Sequence, residues 1–291
     1  MSAPVVNPPL AVRPPLDLKA AARALGASGG GTGAARLLAL LCDPEVETEA
    51  VRSSLRSEPA LSARVLKVAN SPFYRQAGQI GTVDRAVQLL GLSAIRGIAA
   101  AGCLDRATPP RAGQAFDPER FRRHSLAVAC ATQQLARAAG AGVDSEAFIA
   151  GLLHDIGVLL LTKAAPAAMA SFVPPADESA DGALEAECRH FGADHAASAG
   201  VLVEAWGLPV WLHDTLAAHH APTVAAGRGV AALPALLHLA DALAVRAGFP
   251  LWPATGAAPE LPATLPPGLA EPDLEAIVEG LPDAVSAIAA A

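Results

Sequence analysis

The chain has 291 residues, of which 52% are hydrophobic and 17% charged, so it can bury a core and does not have the composition of a disordered polymer. A net charge of −7 argues against a broad binding surface for nucleic acid or anionic lipid. Aromatic residues make up only 4%, so small aliphatic side chains must fill the interior, which favours closely packed helices.

The N-terminus and the longest apolar stretches exclude further classes of protein. Residues 1–16 contain Pro-rich clusters in place of the apolar core of a secretory signal, and we predict a flexible tail there. The stretches around Ile156 to Leu161 and Val230 to Leu243 are too short to cross a membrane, or are interrupted by His238 and Asp241. The sequence therefore predicts a cytoplasmic protein with no membrane or nucleic-acid partner.

Apolar residues at helical spacing predict an N-terminal helical subdomain over residues 17–107. Pro59 suits the first turn of one of its helices, where the missing backbone donor is harmless. Gly91 separates a helix over Val83 to Leu90 from another over Ser93 to Cys103. The four cysteines show no zinc or redox spacing and are expected as reduced thiols: Cys42, Cys103, Cys130 and Cys188.

A second lobe is predicted over residues 108–250, after a Pro- and Gly-rich linker from Asp105 to Phe116. Its helices are expected at Pro118 to Ala139, Ser145 to Thr162, Ala183 to Phe191, His195 to Trp206, Val210 to His219 and Val230 to Ala247. Residues 251–291 form a Pro- and Ala-rich extension with a short helix over Asp273 to Glu279. No segment alternates as a strand would, so the sequence predicts an all-α, two-lobed helical bundle.

His154 and Asp155 are adjacent in the apolar helix predicted from Ser145 to Thr162. Burying these groups there costs free energy unless hydrogen bonds or a metal satisfy them. Adjacent helical side chains diverge by about 100°, so both reach one ion only beside a distorted turn. From the doublet alone a structural role is favoured, with Asp155 capping a neighbouring helix and His154 donating to a backbone carbonyl.

Other polar residues interrupt other predicted helices: His124, His195, His219, His220 and Asp241. Imidazoles and carboxylates are common ligands of divalent iron, manganese, nickel and zinc, and helical bundles build such sites from facing helices. One pocket with one or two ions would explain these residues and the doublet together, although hydrogen bonds could satisfy the same groups without metal. His190, His213 and His238 fit no ligand pattern and are expected on the surface or in structural hydrogen bonds.

The order of His124, the His154-Asp155 doublet and Asp241 resembles the HD phosphohydrolase superfamily. His195 and the pair His219-His220 resemble the additional ligands of its HD-GYP branch, which hydrolyses cyclic di-GMP. A narrower resemblance, to HDOD proteins, covers about Ala34 to Val245. It is carried by Pro59-Ala60-Leu61-Ser62, Val65-Leu66-Lys67-Val68-Ala69-Asn70-Ser71, Val87-Gln88-Leu89-Leu90-Gly91, Arg123-His124-Ser125-Leu126-Ala127-Val128, Trp206-Gly207-Leu208-Pro209 and His219-His220-Ala221-Pro222.

The resemblance implies a bacterial signal-transduction module that binds signalling proteins or a small ligand such as a nucleotide. Val158 stands where hydrolytic relatives usually carry Lys, and Gly-Tyr-Pro does not follow His220, which favours a non-catalytic module. The alternative is a metal-dependent phosphohydrolase or phosphodiesterase acting on a cyclic dinucleotide or nucleotide, in which Asp155 bridges the metals. A purely metal-binding or structural role is the third hypothesis.

Two further expectations concern binding surfaces. Asn70, Tyr74 and Arg75 are candidates for a partner site in a cleft between the lobes. Arg122 and Arg123, beside His124, are expected to face solvent or to pair with nearby Glu residues.

Overall fold

The computed structural model of the protein describes residues 16–27, 31–43, 45–70, 80–109, 116–174, 180–222, 228–252, 259–262 and 264–289. These ranges contain fourteen α-helices, one 3-10 helix and no β-strand, which confirms the predicted all-α fold. The tail predicted at the N-terminus, apart from Leu16, lies outside the described residues, as do Tyr74 and Arg75 of the predicted cleft.

Five helices precede residue 108: α1 (Leu18–Ala27), α2 (Gly31–Cys42), α3 (Thr48–Arg56), α4 (Pro59–Ala69) and α5 (Val83–Ala107). As predicted, Pro59 opens α4, and Gly91 interrupts α5 with a φ of +78° that L-residues rarely adopt. The guanidinium of the buried Arg96 donates to the carbonyl oxygens of Leu41 and Asp43, both at 2.7 Å, and so ties α5 to the C-terminal end of α2.

The second part of the chain contains α6 (Pro118–Ala138), α7 (Asp144–Leu153), α8 (Ile156–Ala164), α9 (Pro166–Ser171), α10 (Ala180–Phe191), α11 (His195–Ala205), α12 (Val210–Ala218), the 3-10 helix (Gly229–Ala232), α13 (Leu233–Arg246) and α14 (Glu271–Ala289). Helices α7, α13 and α14 pack around α6, while α11 packs against α8 and α12. This arrangement is a bundle of helices that face one another, in which side chains from several helices can meet.

The prediction of one continuous helix from Ser145 to Thr162 was wrong. Helix α7 ends at Leu153 and α8 begins at Ile156, because the backbone leaves helical geometry at Asp155, where φ is −97° and ψ is 15°. The His154-Asp155 doublet therefore lies in a distorted turn, and its two side chains are not held to the divergence of a regular helix.

The C-terminal helix is longer than the predicted Asp273 to Glu279. Helix α14 continues to Ala289 through Pro282, which removes only one backbone donor from its ladder. The helix buries an apolar stripe against α6 that continues beyond the proline: Leu274, Ile277, Leu281, Val285 and Ile288. Burial of this stripe offsets the cost of the proline.

Helix α1 packs against α8 and α11 as well as against α2. The indole Nε1 of Trp206, at the end of α11, donates to the carbonyl of Ala22 at 3.4 Å. The N-terminal helix thus contacts the second lobe directly. The lobe boundary at residues 107 and 108 and the other predicted domain limits stay predictions.

By length and composition, three segments are apolar enough to cross a membrane: Val83–Ala107, Asp144–Ala164 and Gly229–Arg246. These segments are longer than the apolar stretches around Ile156 to Leu161 and Val230 to Leu243, which were predicted not to cross a membrane. In the apolar 18-residue window of each segment, 61%, 89% and 50% is buried within the protein, so helix packing accounts for much of this apolar composition. Cytoplasmic localisation stays a prediction.

The close packing of α8 on α11 depends on Gly157. A Cβ there would lie 1.8 Å from the His195 carbonyl oxygen and 2.7 Å from the Ala199 nitrogen. Since both are backbone atoms, Gly157→Ala must separate the helices, and we expect a loss of about 1–3 kcal/mol in the free energy of unfolding, measured by urea denaturation.

The matched control is Gly280→Ala in α14, where a Cβ meets nothing within 4 Å. We expect this variant to gain up to about 1 kcal/mol, because alanine has the higher helix propensity. Wild-type stability of Gly157→Ala would show that the two helices are not held at this distance.

Candidate metal centre

The structure brings the seven predicted ligand residues together in the second lobe, with five of them at helix boundaries and His124 and Asp241 within helices. They come from α6 (His124), the turn between α7 and α8 (His154-Asp155), the first position of α11 (His195), the residues after α12 (His219-His220) and α13 (Asp241). Most are buried, and only His220 and Asp241 are partly exposed. The sequence spacing alone did not show that residues from five separate elements would meet.

Hydrogen bonds on Nδ1 set the orientation of four imidazoles. Three bond to backbone carbonyl oxygens: His124 to Phe249 at 2.7 Å, His154 to Gly151 at 2.8 Å and His219 to Leu216 at 2.6 Å. His195 Nδ1 lies 2.7 Å from Glu187 Oε2. A carbonyl or carboxylate oxygen only accepts, so each Nδ1 carries the hydrogen, and the neutral rings present a bare Nε2.

The first group of ligand atoms, here called the Asp241 subsite, consists of His124, His154 and Asp155, whose ligand atoms lie within 4.8 Å of one another, with Asp241 beside His124. His124 Nε2 lies 3.1 Å from His154 Nε2, 3.3 Å from Asp155 Oδ2 and 3.4 Å from Asp241 Oδ1. His154 Nε2 is 3.1 Å from Asp155 Oδ2. Two ligand atoms bound to the same ion at about 2.1 Å lie about 3.0–3.4 Å from each other at octahedral to tetrahedral angles. The distances in this subsite therefore fit a divalent metal.

The second group, here called the His220 subsite, consists of Asp155, His195, His219 and His220, whose ligand atoms all lie within 4.8 Å of one another. His195 Nε2 is 3.2 Å from Asp155 Oδ1 and 2.7 Å from His220 Nε2, whereas His219 Nε2 is 3.9 Å from Asp155 Oδ1. His219 Nε2 is buried and has no hydrogen-bond partner in the described part of the chain. A bound cation would satisfy this buried nitrogen together with the Nε2 atoms of the neighbouring histidines.

Asp155 belongs to both subsites through different oxygens. Oδ2 faces the Asp241 subsite and Oδ1 faces the His220 subsite. If an ion bound in each subsite, Asp155 would be the residue that both share. The structural role considered for the doublet is not supported for Asp155, whose side chain does not cap α8, although His154 does donate to a backbone carbonyl.

The charges in the Asp241 subsite attract protons when no metal is bound. Burial raises the pKa of Asp155, but the neighbouring His154 and His195 outweigh it and hold that pKa well below its usual range. Burial lowers the pKa of His124, but the hydrogen bond to Asp155 and the charge of Asp241 raise it overall to about 9. A proton on His124 therefore takes the place of part of a metal's charge.

The His220 subsite contains histidines with opposite pKa shifts. Burial lowers the pKa of His195, but the carboxylates of Glu187 and Asp155 raise it overall to about 10. Burial and the neighbouring His195 lower the pKa of His220 to about 3, and burial and His220 hold that of His219 well below its usual range. In the metal-free protein His195 carries the positive charge here.

Sequence reasoning missed Glu187, which is 1% exposed and contacts His195. A signal was present, because Leu184, Glu187 and Phe191 share one face of the predicted helix at i, i+3 and i+7, and a carboxylate there is out of place. The remaining histidines form the expected structural or surface contacts: His190 with the Ala168 carbonyl at 2.9 Å, His238 with the His219 carbonyl at 2.9 Å and the exposed His213 with Asp214 at 3.1 Å.

Removal of Asp155 should affect both ions. We expect Asp155→Ala to lose most bound metal, because each subsite loses one oxygen, whereas Asp241→Ala should affect mainly the Asp241 subsite. Elemental analysis of protein purified without chelator measures this. The control is the exposed Asp214→Ala, which should keep the wild-type content. Unchanged metal in Asp155→Ala would remove the ligand assignment.

Metal affinity should rise with pH. His124 and His195, with pKa values of about 9 and 10, are protonated at neutral pH in the metal-free protein and must release those protons to bind an ion. We expect one proton released per ion, and an affinity for Mn²⁺ that increases about tenfold per pH unit from about pH 6 to about pH 8. Calorimetry in two buffers of different ionisation enthalpy counts the protons, and binding without proton release would contradict the charge assignment.

The HDOD domain family matches residues 32–222 of this chain. A "Putative phosphohydrolase" from Shewanella amazonensis SB2B is 26% identical, with a TM-score of 0.63 over 92% of this chain and 93% of that one. An HDOD domain protein with unknown function from Geobacter sulfurreducens is 24% identical, with a TM-score of 0.66 over 94% and 96% of the two chains. A "Putative signal transduction protein" from Marinobacter aquaeolei VT8 is 22% identical, with a TM-score of 0.68 over 94% of this chain and 66% of that one.

No protein of curated function matches the sequence. The family match nevertheless covers more than half of the chain and contains six of the seven candidate ligands. The fold agrees with solved structures over nearly the whole length. This protein therefore belongs to the HDOD family.

Proposed function

We propose that this chain is a bacterial, cytoplasmic signal-transduction module that binds divalent metal in its second lobe and acts by binding a partner protein or small ligand rather than by turnover. Membership of the HDOD family supports the signalling role. The rest of the proposal is supported by one observation. Seven candidate ligands lie together and are mostly buried, but Val158 occupies the position at which hydrolytic relatives carry lysine. The names of the Shewanella and Marinobacter proteins describe those proteins. For this chain they support considering a phosphohydrolase and a signal-transduction protein as the two candidate classes.

Metal binding is supported by nitrogen atoms that face each other. His195 and His220 place Nε2 atoms 2.7 Å apart, and those of His124 and His154 are 3.1 Å apart. In the metal-free protein the protonated ring of each pair, His195 or His124, donates across this contact, and a bound cation would replace that proton. The nitrogen and carboxylate donors suit iron, manganese, nickel or zinc, and the two subsites have room for one ion each.

The absence of turnover is supported by the surroundings of the bridging carboxylate. Val158, at the position of the lysine of hydrolytic relatives, is fully buried. In the described part of the chain, Asp155 and Asp241 form ion pairs only with histidines. A lysine or arginine that could hold a substrate phosphate is therefore not among the ion-pair partners of either acid in the described part of the chain.

A cavity next to the centre supports the proposal of a small ligand. A cavity of about 530 Å³ is lined by Asp117, Glu119, Arg120, Arg123, Gly248, Phe249 and Pro250. This volume is in the usual range for ligand sites. Arg122 pairs with Glu119 at 2.6 Å, whereas the Arg123 guanidinium stacks over the Phe249 ring at 5.3 Å. The Phe249 carbonyl accepts from His124 Nδ1. An anionic ligand in this cavity, such as a nucleotide, would therefore lie next to the residue that orients His124.

The second candidate is a metal-dependent phosphohydrolase or phosphodiesterase acting on a cyclic dinucleotide or nucleotide. The bridging position of Asp155 favours it, because two-metal hydrolases share such a carboxylate. Bound ions would supply Lewis-acid polarisation of the phosphoryl group and activation of water. The chain itself would contribute the orientation of the ions and, at Asp241 and His220, the exposed edge where substrate enters.

The two candidates differ in turnover by the metal-loaded protein. We expect protein loaded with Mn²⁺ or Fe²⁺ to retain metal but to release no product from cyclic di-GMP, measured by chromatography. Asp155→Ala is the control for any trace activity, since turnover that persists in it comes from a contaminant. Turnover that depends on Asp155 would overturn the non-catalytic proposal and establish the phosphohydrolase.

A further inference from the structure

We propose that Glu187 is a positioning residue that holds His195 in its metal-binding orientation and supplies the His220 subsite with negative charge. This inference rests on the proposed metal-binding function. Glu187 lies on α10, eight residues before His195, and is outside the seven ligands.

Glu187 holds both the ring and the backbone of His195. Its Oε2 accepts from His195 Nδ1 at 2.7 Å and from the His195 backbone N–H at 2.8 Å. The carboxylate is 1% exposed, so water does not compete for these bonds. The two bonds leave the ring few other orientations and direct Nε2 toward Asp155 Oδ1, 3.2 Å away.

The subsites differ in how their charge is supplied. The Asp241 subsite contains two carboxylates, and its two histidines bond to neutral backbone carbonyls. The His220 subsite has three imidazoles and only the shared carboxylate of Asp155. A dication among neutral nitrogens in a buried site is stabilised by a further negative charge nearby. Glu187 supplies it through the His195 ring, as in carboxylate–histidine–metal arrangements.

Capping of α11 does not account for this contact. Asp194 is already the N-cap, since its side chain accepts from the Ala197 N–H at 2.7 Å. Glu187 bonds the ring of His195 in addition, and a ring contact contributes nothing to the backbone ladder of the helix. The geometry therefore assigns Glu187 to the site rather than to the helix start alone.

The test compares three variants by titration with Co²⁺, followed by visible absorption and by competition with a chelator. We expect the wild type to bind two ions and Glu187→Ala to bind one, with loss of the signal of the His220 subsite. The isosteric Glu187→Gln should bind both, the second about 10- to 100-fold more weakly. The control Glu185→Gln, exposed on the same helix, should match the wild type.

Several outcomes would overturn the inference. One is a Glu187→Ala protein that is folded by circular dichroism and binds two ions with wild-type affinity, and another is equal loss of both ions, which indicates a general structural role. If Glu187→Ala does not fold, Glu187→Gln decides, and unchanged affinity for the second ion refutes the inference. A wild type that binds no Co²⁺ would overturn the proposed metal binding as well, so the two failures are distinguishable.

Discussion

The turn between α7 and α8 determines whether this centre can exist. In a regular helix His154 and Asp155 would point about 100° apart and serve different regions. The backbone instead leaves helical geometry at Asp155, and both side chains reach His124 Nε2, at 3.1 Å and 3.3 Å. Gly157 then lets the His195 carbonyl approach closely enough to place that ring on the other oxygen of Asp155. The four residues from His154 to Gly157 are therefore one geometric unit.

A centre of this kind is costly before it binds anything. Two carboxylates and five imidazoles lie close together, and all but His220 and Asp241 are buried, where unpaired polar groups are expensive. Four Nδ1–H groups donate to three backbone carbonyls and to Glu187, so these four groups are not left unpaired on burial. The Nε2 atoms stay crowded, and that of His219 lacks a hydrogen-bond partner within the described residues. A bound cation would satisfy them together, so metal binding and stability of this lobe are linked.

The sequence predicts much of this structure because its signals are local. Pro59, Gly91 and the helix starts at Pro118, His195 and Val210 follow from backbone chemistry and were placed correctly. The candidate ligand residues were predicted because polar groups interrupt apolar helices, and their assignment as ligands stays a prediction. The turn at Asp155, the full length of α14 and the role of Glu187 depend on contacts between residues far apart in the chain, which local propensity does not encode.

The position of α1 matters for a signalling module. Helix α1 packs on α8 and α11, which begin immediately after Asp155 and at His195. A partner that displaced α1 would expose the buried faces of both helices and loosen the two elements that hold the bridging carboxylate and its histidine. By linkage, metal that tightens those elements must oppose such a partner by the same free energy. Coupling between a metal centre and a partner surface thus needs no catalysis, only a shared pair of helices.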